Sequence, residues 1–138
     1  MKKTVIAVVI GFIVVAVGRF LLHAVVLEHQ YLGSRDVFRP RPEFMHRVWM
    51  LYLADFLFAF AATLIYARGV ESKPWLGQGI RFGILLALVT AVPQAITEYV
   101  VYPVHHELGL HWILGESAIA ILLGIVIAAV CRPATSPA

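Results

Sequence analysis

Residues 88–106 read LVTAVPQAITEYVVYPVHH, a stretch that is apolar enough to cross a membrane and still carries a polar side chain at every helical turn. The polar positions are four residues apart: Thr90, Gln94, Glu98 and Tyr102. On an α-helix this spacing places them along one slowly drifting stripe. A carboxyl group at the centre of a bilayer costs roughly 2.5–3.5 kcal/mol, so we expect Glu98 to face partners inside a helix bundle or a water-filled cavity.

The composition of the chain indicates an integral membrane protein. Of its 138 residues, 61% are hydrophobic, whereas about half or less of a soluble domain is apolar. The net charge is +3, but the basic residues are scattered at segment ends, which argues against a nucleic-acid partner. The single cysteine, Cys131, excludes an internal disulfide and a cysteine-based metal site. We expect a single transmembrane domain over residues 1–138, with the lipid bilayer as its surroundings.

Hydrophobic runs of sufficient length predict an all-α protein, a bundle of four transmembrane helices. The first run follows two lysines and has a small-residue motif typical of signal-peptide cleavage, but it stays apolar beyond that motif, so we interpret it as a span. Pro93 is expected to kink the third span just before Gln94. The predicted spans cover residues 4–27, 48–67, 79–102 and 111–130.

The polar segment 28–47 separates the first two predicted spans. Gly33, Pro40 and Pro42 punctuate it, and its aromatic side chains suggest that it lies along the membrane interface. A connection of this length is usually functional or disordered, and its aromatic residues favour an ordered segment. We therefore predict an interfacial loop that caps the bundle.

The distribution of Lys and Arg predicts that both termini are cytoplasmic. Six basic residues flank the predicted cytoplasmic ends, against four in the opposite connections. When the spans alternate in direction, the ionisable side chains of all of them fall in the same, periplasmic, half of the bilayer. The predicted buried polar cluster consists of Arg19, His23, Asp55, Gln94, Glu98, Tyr102 and Glu116.

Three interpretations of this cluster remain open. In the first, it binds a metal ion, haem or a small polar ligand, because carboxylates and imidazoles on facing helices are how bundles build such sites. The paired Glu-x-x-His, His-Glu-x-x-His and Cys-x-x-Cys-His motifs are absent from the sequence. The candidate metal ligands are His23, Glu98, His105, His106, His111 and Glu116.

In the second interpretation the chain is a structural or accessory subunit of a membrane complex, whose buried ion pairs, Arg19 with Glu98 or Asp55, only specify packing. In the third, the carboxylates take up and release protons for a proton-linked transporter of small solutes. Enzymatic activity has less support than any of these, since no nucleophile motif is present. A ridge of small residues at Gly124 and Ala128 suggests a homo-oligomer.

Four stretches carry a resemblance to a known family: LLHAVVL (21–27), FRP (38–40), WMLYLADFLFAFAATLIYARG (49–69) and GQGIRFGILLAL (77–88). They resemble small bacterial integral membrane proteins with four spans and no assigned activity. The resemblance covers most of the first three spans and implies a multi-pass protein of the bacterial inner membrane, with no implied substrate. Its motif positions would be His23, Tyr31, Arg39, Pro40, Trp49, Tyr52 and Asp55.

Overall fold

A computed structural model describes residues 2–132 of the chain. This part is all-helical, with 85% of residues in helices and no strand. The prediction of an all-α protein with four helical segments able to span a membrane is confirmed by their length and composition. Those segments are Lys2–Val26, Arg41–Arg68, Trp75–Val101 and His106–Cys131.

The helices follow one another with short connections. Two of the spanning segments change helical geometry along their length: the first ends in a π-helical turn, Leu21–Val26, and the third is broken at Thr90. The elements are α1 (Lys2–Phe20, continued by the π-helical turn), α2 (Glu28–Gly33), α3 (Arg41–Arg68), α4 (Trp75–Val89), α5 (Ala91–Val101) and α6 (His106–Cys131).

The bundle is organised around α6, which contacts α1, α3, α4 and α5, while α3 packs mainly against α1. Glycines bring the backbones of α4 and α6 together. A Cβ atom on Gly83 would overlap the backbone of Ile121, and one on Gly124 would lie 2.5 Å from the carbonyl oxygen of Gly79. Ala128 is also fully buried. The small-residue ridge that we predicted as an oligomer contact is therefore covered within the chain by α4.

Both ends of the described chain lie at the same end of the bundle. Lys3 Nζ, near the start of α1, donates a hydrogen bond to the carbonyl oxygen of Arg132 at 2.8 Å, just beyond α6. This agrees with an even number of spans.

The break in the third segment lies at Thr90, with φ −122° and ψ −70°, one turn before the kink predicted at Gln94. Pro93 has no N–H to give to the carbonyl of Val89, and its ring crowds that carbonyl, so the helix yields on the N-terminal side of the proline. The backbone N–H and Oγ1 of Thr90 both donate to the carbonyl of Leu86, at 2.9 and 2.7 Å, and so complete α4.

The first connection is shorter than the predicted loop 28–47, because α2 occupies Glu28–Gly33 and α3 begins at Arg41. Pro42 lies in the first turn of α3, where a helix needs no N–H donor, and Pro40 is the extended residue that precedes it. The prolines therefore start a helix here instead of marking a loop.

Candidate functional site

The centre of the polar cluster is the guanidinium of Arg19, which lies between two carboxylates. Its Nη1 is 2.6 Å from Oδ1 of Asp55 on α3. Its Nε and Nη2 are 3.0 and 2.9 Å from Oε2 of Glu116 on α6. Asp55 is only 4% exposed. One cation of α1 thus holds an anion of each of two other helices, with the short charge-assisted bonds that make such pairs strong.

Small residues on α1 make room for this contact. Gly11 and Val15 are buried on the face of α1 that also carries Arg19. A Cβ atom on Gly18 would come within 3.1 Å of Ile119 on α6, so the two helices approach closely beside the guanidinium. The spacing of four residues predicted that Arg19 and His23 share a face, and in the structure both reach Glu116.

His23 extends the cluster towards the end of the bundle. Its Nε2 is 2.9 Å from Oε1 of Glu116, and its Nδ1 is 2.7 Å from the hydroxyl of Tyr31 on α2. The indole N–H of Trp112 donates to the same hydroxyl oxygen at 2.6 Å. The His23 ring lies in the π-helical turn, a geometry that often occurs at functional sites.

One arrangement of protons satisfies every donor and acceptor of this network. An indole N–H only donates, so the Tyr31 oxygen accepts from Trp112 and its own hydroxyl can donate to Nδ1 of His23. Nε2–H of His23 then donates to the Glu116 carboxylate. In this arrangement His23 is neutral and each of these polar atoms has a partner.

Tyr31 lies outside the membrane-spanning segments and is partly buried against Phe38, with ring centroids 5.1 Å apart. Burial raises the pKa of Tyr31 from 10.0 to about 12, and the charges of Glu98 and Glu116 act in the same direction, whereas the hydrogen bond from Trp112 opposes them. The hydroxyl therefore keeps its proton at neutral pH, which is the form needed to donate to His23.

The structure separates the predicted cluster into two groups. Arg19, His23, Asp55 and Glu116 lie together, as described. Gln94 donates to Glu98 at 2.9 Å on α5. Tyr102, after the end of α5, lies beside Phe38, with ring centroids 6.1 Å apart. Of the two partners expected for Arg19, the structure shows Asp55 and not Glu98. Glu116 is a second partner of Arg19.

Gln94 and Glu98 lie beside the buried face of α5. This helix buries Ala91 and Ala95. Gln94 follows Ala91 by three residues and precedes Ala95 by one, which places it about 60° and about 100° around the helix from them. Glu98 follows Ala91 by seven residues and Ala95 by three, so it lies about 20° and about 60° from them and is partly buried. Gln94 is accordingly exposed on the surface of the described chain.

Tyr31 and Trp112 belong to the site but were not among its predicted residues. Trp112 is only 4% exposed. The available signal is its spacing of four residues from Glu116, which places both on one face of α6. Residue spacing gives no such signal for Tyr31, because its position depends on how α2 folds back against α1. Only the resemblance to small bacterial four-span proteins indicates Tyr31, as a motif position.

The predicted metal ligands do not converge. Within residues 2–132, no group of three or more His, Cys, Asp or Glu side chains is arranged to hold a metal ion. Both ring nitrogens of His23 are already hydrogen-bonded, to Tyr31 and to Glu116. Nδ1 of His111 is 3.2 Å from Nε2 of Gln30. His105 and His106 are exposed. The position between the two carboxylates is filled by the guanidinium of Arg19, which supplies the positive charge there.

Two clefts lie away from the cluster. One, of about 230 Å³, lies between α5 and α6 beside Tyr99 and Ile113. The other, of about 280 Å³, lies between α3 and α4 beside Tyr66 and Gln78. Neither is lined by a member of the group formed by Arg19, His23, Asp55 and Glu116.

Comparison with known proteins gives no further assignment: the chain matches no family model, no curated protein and no solved structure. The resemblance to small bacterial four-span proteins stays a prediction.

Proposed function

We propose that this chain is a structural or accessory membrane protein, in which the polar cluster sets the arrangement of α1, α3 and α6. The observation that supports this function is the mutual pairing of the cluster. Both carboxylates, the guanidinium, the imidazole and the two aromatic polar groups all have hydrogen-bonding partners within the chain. Among buried side-chain polar atoms of residues 2–132, only Oε1 of Gln30 is without one.

Such pairing is worth more for specificity in lipid than in water. Apolar helix surfaces pack about as well against lipid tails as against each other, so they discriminate poorly between helix arrangements. An arrangement that separates Arg19 from Asp55 or Glu116 instead leaves charges facing hydrocarbon. The network thus favours one relative rotation and depth of the three helices.

Distances between spin labels test this proposal. Labels at the exposed positions Val9 on α1 and Leu57 on α3, with Cys131→Ser to remove the native thiol, report on the packing of the two helices. We expect a narrow distance distribution in the parent protein and a broad one when Arg19 and its two carboxylate partners are replaced together by Met and Leu. A narrow distribution in that variant would contradict the proposal.

The matched control for this experiment replaces Gln94 and Glu98 together by Leu. These residues pair with each other and lie outside the group formed by Arg19, His23, Asp55 and Glu116, so the distance distribution should not change. Elemental analysis and a visible spectrum of protein purified without added metal provide a second check. Stoichiometric metal or a Soret band would overturn the structural assignment in favour of a binding site.

A second candidate function is reversible proton binding by the pair of His23 and Glu116. It is favoured by the hydrogen-bond chain that links Glu116 through His23 to Tyr31, which lies outside the spanning segments. With His23 neutral the cluster has two carboxylates and one guanidinium, so one proton balances its charge. Ring ¹⁵N shifts of His23 between about pH 8 and about pH 5 measure the uptake. A ring that stays neutral throughout contradicts this candidate.

A further inference from the structure

The cleft between α3 and α4 lies at the end of the bundle opposite to the Tyr31 side. Because α3 packs mainly against α1 and α4 mainly against α6, the two helices meet only near the loop that joins them. There the rings of Tyr66 and Phe82 are in edge contact, with centroids 5.2 Å apart. The cleft of about 280 Å³ is polar towards the loop, where Glu71, Lys73 and Arg81 line it, and apolar away from it, where Ile65, Phe82 and Leu85 do.

The polar part of the cleft is held in place by Gln78. Its Oε1 accepts hydrogen bonds from the Tyr66 hydroxyl and from the backbone N–H of Glu71, both at 3.2 Å. Its Nε2 donates to the carbonyl oxygen of Glu71 at 2.7 Å. The loop is thus tied to both helices by one side chain, which keeps the charged residues in a defined position.

The charges at this end leave an excess of positive charge. The Lys73 ammonium is 2.5 Å from the Glu71 carboxylate, and this hydrogen bond, with the charges of Lys73 and Arg81, holds the pKa of Glu71 below its ordinary value. Arg81 donates no hydrogen bond to another side chain or carbonyl within residues 2–132. Its guanidinium is therefore able to bind an external anion bidentately.

We propose that this cleft binds an anionic phospholipid, with the phosphate on Arg81 and Lys73 and an acyl chain along Ile65 and Leu85. Basic side chains at the interface end of a groove between transmembrane helices are suited to lipid phosphates. Ile65 and Leu85 are 58% and 60% exposed, so the apolar part of the cleft is continuous with the surface that faces the hydrocarbon. A free phosphate ion would gain nothing from that part.

Native mass spectrometry of the purified chain in detergent tests the lipid assignment. Phosphatidylglycerol and phosphatidylcholine with identical acyl chains are added separately, and the bound fraction of each is measured. We expect about tenfold preference for phosphatidylglycerol, which falls towards unity in the double variant Arg81→Gln, Lys73→Gln. The control Arg47→Gln removes an exposed arginine at the other end of the bundle and should keep the preference.

Inorganic phosphate and thermal stability distinguish the remaining outcomes. Phosphatidylglycerol should raise the midpoint of thermal unfolding of the parent protein more than inorganic phosphate does at an equal concentration. Equal binding of the two lipids, an unchanged preference in the double variant, or the same stabilisation by inorganic phosphate overturns the assignment. Arg81 and Lys73 are both on the exposed surface, so the double variant is expected to fold, which its circular dichroism spectrum verifies.

Discussion

Arg19→Met is the substitution that most directly tests the role of the cluster. Methionine keeps much of the length of the arginine stem and removes the guanidinium, so that Asp55 and Glu116 lose their shared cation while the apolar contacts of the stem are largely retained. Within residues 2–132, Asp55 forms no other ion pair. Besides Arg19, Glu116 contacts only the His23 imidazole, which is neutral in the arrangement of protons described above. The substitution therefore leaves at least one carboxylate without a counter-charge in the middle of the bundle.

Two independent arguments give the same magnitude for the decrease in the free energy of unfolding caused by Arg19→Met. Removing one partner of a buried ion pair usually destabilises a protein by about 3–5 kcal/mol. If the chain instead neutralises the orphaned carboxylate, protonating a group with an ordinary pKa at pH 7 costs about 4 kcal/mol. For a chain of this length, a loss of about 4 kcal/mol lowers the midpoint of thermal unfolding by roughly 10 °C or more.

Unfolding of the purified protein in detergent, followed by circular dichroism, measures this loss. The control is Arg47→Gln, because Arg47 contacts Glu43 at 3.6 Å with both side chains exposed, and such pairs contribute about 0–1 kcal/mol. The loss for Arg19→Met should shrink by about 1.4 kcal/mol for each unit of pH below neutrality as a carboxylate is protonated. It should also shrink when Asp55→Asn is added. A difference between Arg19→Met and its parent of less than about 1 kcal/mol would refute the reasoning.

The remaining predictions concern the glycine contact and the Tyr31 hydroxyl. Gly83→Ala forces a methyl group into the backbone of α6 and should lower stability by about 1–3 kcal/mol in the same assay, whereas Gly77→Ala, with open space around its Cβ, should be neutral or slightly stabilising. Burial raises the pKa of Tyr31 from 10.0 to about 12, so the contribution of Tyr31 to the free energy of unfolding is complete below pH 10 and is lost as the pH rises through 12. Tyr31→Phe should therefore flatten the pH dependence of the free energy of unfolding between these two values. Trp112→Phe removes the hydrogen bond that lowers this pKa, so the alkaline absorbance transition of the Tyr31 phenol should move to higher pH; an unchanged transition contradicts the geometry of the site.

Local patterns were sufficient to predict the helices and four of the six side chains that lie together in the site. Span length follows from the hydrophobicity of consecutive residues, and a spacing of four places Arg19 and His23 on one face whatever surrounds them. The depth of Asp55 and Glu116 in their helices predicted that they meet the same region. Span length, shared helix faces and depth along a span can all be predicted from residues that are near each other in the sequence.

The position of Glu98 depended on information that is not local. The third segment is broken at Thr90, and beyond the break α5 buries Ala91 and Ala95. The sequence showed that Pro93 would disturb the helix, but it did not show which side of α5 would be buried. Likewise, Pro40 and Pro42 are equally compatible with a loop and with the start of a helix, and only the packing of α3 distinguishes the two.

The central position of α6 has a consequence for the order of assembly. Synthesis proceeds from the N-terminal side, so α6 is made after the other three candidate spanning segments, yet it provides the surface on which α1 and α4 pack. Until it arrives, Glu116 is absent, and Asp55 of α3 is the carboxylate that can accompany Arg19 through the bilayer. A chain interrupted before α6 would expose the glycine face of α4 and leave Arg19 without its second carboxylate, features by which a membrane quality-control protease could distinguish it from the finished protein.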